Sequence, residues 1–252
     1  FTVSSEHMRL FTSLIDTVKP KYEQTYKVTY DITYSVQNPA TDTIAVDMQN
    51  EPFREKDGSL VFRPGGHGAL IQNLNNLQGD VIFIKNIDNV VPDRLKADTY
   101  LYKKAIAGIL MQTQEAVFAQ LQSLKSGEVS TTKLNEIKAL CKRLNISLPH
   151  AFEQQSQQEQ EQWLYACLNR PIRVCGVVRN EGEPGGGPFY VKNSLGEVSL
   201  QIIESAQIDL NNAAQKAIFD RSTHFNPVDL VCAVKDVNGN PFNLLEFIDH
   251  ET

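Results

Sequence analysis

The stretch FRPGGHGALIQNLNNLQGDVIFIKNIDNVVPD, residues 62–93, joins a glycine-histidine-glycine turn, a short amphipathic segment, an apolar strand and a polar NIDN tail. The amphipathic segment has apolar residues at helical spacing, namely Leu70, Ile71, Leu74 and Leu77. The run VIFI is typical of a strand covered on both faces in a largely parallel sheet. Upstream, YKVTYDITYSVQ at residues 26–37 alternates apolar and polar residues and predicts a half-buried strand. The order of strand, helix and strand predicts an α/β fold.

The chain divides into three segments that differ in the spacing of apolar residues and in glycine content. Residues 1–93 form the first part of a predicted nucleotide-binding α/β domain, and Ser4 or Ser5 is the expected cap of a helix ending near residue 18. Residues 94–170 have apolar residues three and four apart and few glycines, which predicts a helical insertion. Residues 171–252 return to short apolar strands between glycine-containing turns, and form the second part of the domain.

The composition of the 252 residues excludes several classes of protein. No apolar tract is long enough to cross a bilayer, so we expect a cytoplasmic protein without a membrane partner. The net charge is -6 and basic residues are scattered among acidic ones, so the sequence predicts no basic patch that would bind nucleic acid. The cysteines lack the CxxC spacing of zinc or redox sites, which favours reduced core residues. They are Cys141, Cys167, Cys175 and Cys232.

The turn PGGHG at residues 64–68 has two interpretations. Its glycines let backbone N–H groups approach a base or a phosphate, and His67 offers a hydrogen bond or a charge to a phosphate oxygen. The N-terminus of the following helix also favours an anion. The alternative is a tight turn with a solvent-exposed histidine, and the motif alone does not decide between the two.

The NIDN tail at residues 86–89 follows a strand that the sequence predicts to be buried. Ligands in open α/β sheets bind beyond the carboxyl ends of strands, where a carboxylate can hold Mg²⁺ through its oxygens. The alternative is that Asn86 and Asp88 cap a turn or the next helix. Because three polar residues follow the strand, we favour a functional role.

Three later features also admit two interpretations. EGEPGGGP at residues 181–188 is either a flexible hairpin tip or a backbone wall against a ligand. Glu204, an acidic residue in an otherwise apolar strand, either pairs with a buried partner or binds ligand hydroxyls. Asn226 in THFNPVDLV marks either a site or the start of a strand. The sequence contains no GxSxG, HExxH or P-loop lysine motif.

Taken in order, five pieces resemble the UDP-sugar pyrophosphorylase family of the nucleotide-diphospho-sugar transferase superfamily, whose fold is called GT-A. The pieces are Gln37, PGGHG, VIFIKNIDN, PGGGP with IIESAQI, and HFNPVDLV. They cover residues 37–93 and 171–235, and the helical region 94–170 has no counterpart. The sequence as a whole most resembles a bacterial branch of this superfamily that is known as a domain of unknown function. The resemblance implies a mixed, mainly parallel sheet with flanking helices and a helical insertion.

The resemblance also implies roles for the matched residues. His67, near the phosphates, and Asp88, near the metal or the ribose, are the expected catalytic residues, and Asp88 is the expected ligand of Mg²⁺. The residues on the nucleotide side are Gln37, Gly66, His67 and Gly68. The residues on the sugar side are Asn86, Gly186, Gly187, Glu204 and Asn226.

The implied reaction is in-line attack of a sugar 1-phosphate on the α-phosphorus of a nucleoside triphosphate, which releases pyrophosphate. It requires positioning and cations that offset the charge of the phosphoryl oxygens. The family's first strand ends in a GxGTRLG-like loop followed by a catalytic lysine, and neither occurs in these 252 residues. Together with FTVS at residues 1–4, this favours the C-terminal portion of a longer enzyme, inert alone, over a protein that only binds.

Two other functions stay open. A glycosyltransferase with the same fold would use Asp88 to hold a metal on the diphosphate and would release a nucleoside diphosphate. A non-catalytic sensor or scaffold would bind nucleotide sugars without turnover and use residues 94–170 to dock a partner. The base, the sugar and the oligomeric state do not follow from the sequence.

Overall fold

The computed structural model describes residues 1–127, 129–182, 185–193 and 196–249, and His67 only through its backbone. The chain forms two compact units. Unit 1 consists of Phe1–Gln78 with Asn243–Glu246, and unit 2 of Gly79–Phe242 with Phe247–Thr252. The units therefore divide at residue 78 rather than after the predicted residue 93, because the strand that precedes NIDN pairs with strands of unit 2.

Unit 1 contains two helices and a short hairpin. Its elements are α1 (Met8–Tyr26), β1 (Thr43–Ile44), β2 (Phe62–Arg63) and α2 (Ile71–Asn75). Strands β1 and β2 are antiparallel, and a 3₁₀ turn at His67–Leu70 leads directly into α2. The helix predicted to end near residue 18 continues to Tyr26 although it contains Pro20, and its N-cap is His7 rather than Ser4 or Ser5.

The alternating segment 26–37 does not form the predicted strand. Its one bridge joins Ser35 to Thr2 in parallel, with the Ser35 N–H donating to the Phe1 carbonyl at 2.8 Å. The backbone of the segment bonds to the N-terminal residues Phe1 and Val3 at Thr33 and Ser35, and no strand of the described ranges pairs with it. Val28 therefore stays 47% exposed, so the period of two marks an extended chain here and not a sheet.

Unit 2 is built on a three-stranded sheet in the order β3-β9-β4. These strands are β3 (Ile82–Lys85), β4 (Ile172–Cys175) and β9 (Asp229–Ala233). Both outer strands are antiparallel to β9, and therefore run in the same direction as each other. The carboxyl ends of β3 and β4 and the amino end of β9 consequently lie at one edge of the sheet.

The strand pairing differs from the predicted mainly parallel sheet. In the described part of the chain every named strand pairs antiparallel. The run VIFI was predicted to be covered on both faces, but Ile82 is 9% exposed and Phe83 is 49% exposed, so one face of β3 is open. Burial also carries no information on strand direction. The fold is mixed α/β, and the GT-A assignment remains a prediction.

The helical region contains three helices, α3 (Lys96–Lys125), α4 (Thr131–Arg143) and α5 (Gln157–Leu168). The Ser130 and Ser156 side chains cap the N-termini of α4 and α5. A core cluster buries the apolar faces of these helices, including Leu121, Ile137 and Leu164 at 0% exposure. Leu110 of α3 packs against Val231 and Ala233 of β9, so the helices share one unit with the sheet.

Two further strand pairs and a short helix complete unit 2. The elements are β5 (Val178–Arg179), β6 (Gly187–Lys192), β7 (Val198–Ile203), α6 (Ala213–Phe219) and β8 (His224–Phe225). Strands β6 and β7 form an antiparallel hairpin, and β5 pairs with β8. No described helix is long and apolar enough to cross a membrane.

Candidate functional site

The candidate site lies at the sheet edge where β3 and β4 end and β9 begins. Lys85, the last residue of β3, pairs with Asp229, the first residue of β9. Cys175, the last residue of β4, pairs with Leu230. The NIDN tail therefore leaves the sheet beside the segment HFNPV that enters it, which explains why polar residues from distant parts of the sequence meet here.

Asn226 ties three loops together at this edge. Its side-chain Nδ2 donates to the Gly176 carbonyl at 2.6 Å, and its Oδ1 accepts from the Val228 N–H at 3.1 Å. Its own backbone N–H donates to the Gly186 carbonyl at 2.7 Å. Because Asn226 is only 6% exposed, these bonds satisfy a buried amide and position the loops.

The predicted glycine pair meets Glu204 and the β8 strand. A Cβ on Gly186 would lie 2.8 Å from Glu204 Oε1, and a Cβ on Gly187 would lie 2.9 Å from the His224 carbonyl oxygen. Both approaches are closer than real Cβ contacts, so only glycine fits without a shift. The half-buried Glu204 carboxylate thus lies against the hairpin wall, and its backbone N–H donates to Gln207 Oε1 at 2.8 Å.

Four residues predicted for the sugar side, Gly186, Gly187, Glu204 and Asn226, therefore come together. Of these four, Gly187 lines a cavity of about 220 Å³, smaller than the roughly 300 Å³ at the low end of drug-sized pockets. The other three adjoin lining residues in sequence, namely Gly185, Ser205 and Phe225. The cavity lining combines aromatic rings with polar groups and consists of Asn180, Gly185, Gly187, Phe189, Ser205, Phe219, Ser222, His224 and Phe225. Sequence reasoning missed Phe189 and Phe219, since isolated phenylalanines carry no positional signal.

The NIDN tail forms a short 3₁₀ turn at Ile87–Asn89. Asn86 caps this turn, because its Oδ1 accepts from the Asp88 N–H at 3.4 Å, and its own N–H donates to the Val228 carbonyl at 3.1 Å. Asn89 Nδ2 donates to the Pro227 carbonyl at 2.6 Å. The capping interpretation thus holds for Asn86, and the two asparagines link the tail to the start of β9.

Asp88 is the one predicted metal ligand of the site. Its carboxylate is exposed and accepts no hydrogen bond within the described ranges. Those ranges contain no group of three histidine, cysteine or acidic side chains that could enclose a metal. Mg²⁺ often binds through one or two carboxylates together with substrate phosphates, so a lone exposed Asp88 fits only that mode.

Val228 adopts a left-handed conformation with φ 51°. Positive φ is rare for a β-branched residue and costs on the order of 1–3 kcal/mol, and such strain concentrates at functional sites. The hydrogen bonds from Asn86 to the Val228 carbonyl and from the Val228 N–H to Asn226 hold the conformation. Val228 is therefore fixed at both of the peptide groups that flank it.

Two lysines converge on Asp229, and sequence reasoning missed this cluster. Lys85 Nζ lies 2.8 Å from Asp229 Oδ2, and Lys103 Nζ lies 2.7 Å from Oδ1. Burial raises the pKa of Asp229, but the hydrogen bonds and charges of Lys103 and Lys85 outweigh burial and lower the pKa overall. Lys103 lies on α3, 126 residues before Asp229, so no local motif could have revealed it.

The cysteines near the site are not nucleophiles. Burial raises the pKa of the Cys175 thiol, and burial with the nearby Cys175 raises the pKa of Cys232 to about 11. Both thiols therefore stay protonated at neutral pH. All four cysteines are free thiols, as the spacing predicted, and Cys141 and Cys232 are buried.

The predicted nucleotide side lies in unit 1. Gln37 Nε2 donates to Thr41 Oγ1 at 3.1 Å and to the Gly65 carbonyl at 3.5 Å, so Gln37 meets the PGGHG turn. A Cβ on Gly65 would lie 2.6 Å from the Thr41 carbonyl oxygen, whereas Gly66 and Gly68 face open space. The side chain of His67 lies outside the described residues. Helix α2 has five residues, too short for the predicted anion-binding N-terminus.

The arrangement defines a mixed α/β protein with a glycine-walled cavity beside a polar sheet edge. The chain belongs to the family described as Domain of unknown function (DUF4301), whose model matches residues 1–252. No curated protein and no solved structure matches the chain. The expectation of a domain-of-unknown-function family is confirmed, and the pyrophosphorylase assignment stays a prediction.

Proposed function

We propose that the chain is a sugar-1-phosphate nucleotidyltransferase-like domain that binds a nucleotide sugar. The convergence of Gly186, Gly187, Glu204 and Asn226 beside one cavity carries the proposal. The resemblance in sequence assigns all four to the sugar side. Their meeting supports a common role, because the glycines lie about 40 residues from Asn226 along the chain.

The cavity suits a small polar ligand with hydroxyl groups. Ser205 and Ser222 line the cavity with hydroxyls that can hydrogen-bond a ligand, and Phe189 and Phe225 supply apolar faces. The Glu204 carboxylate lies against Gly186, directly before Ser205 in the chain. The bonds that Asn226 makes to Gly176 and Gly186 fix the wall, which lowers the entropic cost of ordering it around a ligand. A sugar ring matches this combination of hydroxyl and apolar surface.

In the proposed reaction the chain's own residues mainly position the reactants. Asp88, exposed at the end of the NIDN tail, is the residue that would hold Mg²⁺ together with substrate phosphates. Bound there, the cation would offset negative charge on the phosphoryl oxygens during the displacement. The resemblance assigns the nucleobase to Gln37 and to the backbone of Gly66 and Gly68, and it assigns the phosphates to His67.

Isothermal titration with UDP-, GDP- and ADP-sugars in the presence of Mg²⁺ tests this function. We expect binding of at least one of them, and we expect Asp88→Asn to weaken that binding in Mg²⁺ but not in its absence. Asp98→Asn is the matched control, since Asp98 is an exposed aspartate on the first turn of α3. Failure of every common nucleotide sugar to bind would sink the proposal.

Binding without turnover is the second candidate function. It is favoured by the lack of a GxGTRLG-like run anywhere in the 252 residues. A nucleotidyltransferase produces pyrophosphate from a nucleoside triphosphate and a sugar 1-phosphate, whereas a glycosyltransferase releases a nucleoside diphosphate. Product analysis with the same ligand therefore separates these enzymes from a domain that only binds.

A further inference from the structure

Lys85, Lys103 and Asp229 form a charge cluster that none of the assigned roles uses. Each Asp229 oxygen accepts from a different lysine, at 2.8 and 2.7 Å. The three side chains retain 24%, 25% and 17% exposure, respectively, so the cluster is half-buried but open to solvent. Within the described ranges, no other carboxylate forms an ion pair with either lysine.

The cluster is electrically unbalanced. Two ammonium groups face one carboxylate, which leaves a net charge of +1 where solvent is partly excluded. Unbalanced charge at a half-buried position is unfavourable unless a counter-ion completes it. Each ammonium carries three N–H donors and uses one of them on Asp229, so donors remain for an added anion.

The cluster also has a rigid base. Lys85 and Asp229 are paired residues of neighbouring strands, and the Gly176 N–H donates to the Asp229 carbonyl at 2.8 Å. Lys103 extends from α3 and lies 5.6 Å from the centre of the Phe83 ring. The two ammonium groups are thus held on the same carboxylate by three elements, and are positioned before any ligand arrives.

We propose that Lys85 and Lys103 form a binding site for a phosphate-class dianion, with Asp229 as the resident counter-ion that competes with the dianion for the two ammonium groups. Lysine binds phosphate as a point charge, and two separate ammonium groups suit a tetrahedral oxyanion with several acceptor oxygens. Anion binding itself does not depend on the proposed function. That the anion is the phosphate of a sugar 1-phosphate rests on it.

Titration of the full chain with inorganic phosphate tests the site. We expect Lys85→Met and Lys103→Met each to weaken phosphate binding by about tenfold or more, since a charge-assisted hydrogen bond is lost. Asp229→Asn should strengthen binding severalfold, because the local charge rises from +1 to +2. Lys104 is an exposed neighbour of Lys103 on the same helix, so Lys104→Met should leave binding unchanged.

Two further measurements identify the ligand and distinguish a lost binding site from a misfolded variant. Lys103→Arg retains the charge, so a folded Lys103→Arg variant should bind phosphate far better than Lys103→Met. Methyl phosphate should bind like inorganic phosphate, and acetate should bind more weakly because it carries one charge instead of two. Equal affinity for acetate and phosphate would overturn the assignment of a dianion.

The proposal is overturned if the native chain does not bind phosphate, or if both methionine variants bind phosphate as the native chain does. It is also overturned if folded Asp229→Asn binds phosphate more weakly than the native chain, because Asp229 would then not act as a competing counter-ion. Phosphate binding without binding of any nucleotide sugar would support the anion site and refute the proposed function.

Discussion

At the scale of single residues, much of the candidate site could be predicted from short motifs and the remainder could not. The family resemblance assigned Gly186 and Gly187 to the site, and each has a neighbour too near for a Cβ. Lys103 could not be predicted as a site residue, because its role depends on an ion pair with Asp229. Folding brings the two side chains to 2.7 Å from each other. Paired charges far apart in sequence leave no local pattern.

The strained Val228 yields a prediction about stability. Val228→Gly removes the penalty for positive φ, roughly 1–2 kcal/mol, while losing half-buried side-chain surface and about 0.5–1 kcal/mol to the more flexible unfolded chain. We expect the free energy of unfolding to stay within about 1 kcal/mol of the native value.

Val191→Gly is the matched control for this substitution. Val191 is also half-buried but lies in strand β6 without positive φ, so glycine should cost about 1–2 kcal/mol there. Urea denaturation of both variants measures the difference. Equal losses at the two positions would show that Val228 is not strained in solution.

The Asp229 cluster predicts a specific response to pH. The folded-state pKa of Asp229 lies below its ordinary value, so the pairing stabilises the fold fully above the unfolded carboxyl pKa of about 3.9. That stabilisation is lost as pH falls through the lower folded pKa. Asp229→Asn should therefore lose stability mainly above about pH 4 and converge with the native chain in stronger acid. Parallel stability curves across this range would contradict the prediction.

At the scale of elements, helices were easier to predict than strands. The spacing of apolar residues by three and four predicted the buried faces of α4 and α5, because those faces pack into one core cluster. Strand direction was not predictable, since VIFI reads alike in a parallel and an antiparallel sheet. Segment 26–37 shows a second limit, because its alternation lacks the sheet partner that would turn it into a strand.

The hairpin of β6 and β7 predicts unequal effects for its two glycines. Gly187→Ala sets a Cβ against the His224 backbone oxygen at 2.9 Å, and strand pairing prevents that backbone from moving freely. Gly186→Ala sets a Cβ against the Glu204 carboxylate, which can rotate away. We expect Gly187→Ala to cost about 1–3 kcal/mol of stability and Gly186→Ala clearly less.

Gly68→Ala provides the control, because a Cβ at Gly68 meets nothing within 4 Å. Thermal denaturation of the three variants gives the stability order. Ligand titration adds a second measurement: a displaced Glu204 in Gly186→Ala should weaken nucleotide-sugar binding although the fold is retained. Equal stability of Gly187→Ala and Gly68→Ala would refute the steric argument.

At the scale of the whole molecule, burial is unevenly distributed between the units. Helix α4 buries Leu134, Ile137, Leu140 and Cys141, whereas the 19 residues of α1 include none that are buried. Leu10 and Leu14 of α1 are 68% and 57% exposed. Most helical stability in proteins comes from packing an apolar face, so α1 has little tertiary support in this chain.

Hydrogen exchange should report this difference directly. Amides of α4 should exchange only through opening events with a free energy near that of global unfolding, whereas amides of α1 should exchange much faster through local opening. Equal protection of the two helices would contradict the prediction. If protection of α1 rose with protein concentration, a second copy of the chain would be covering Leu10 and Leu14. Strong protection independent of concentration would require tertiary support for α1 within one copy of the chain.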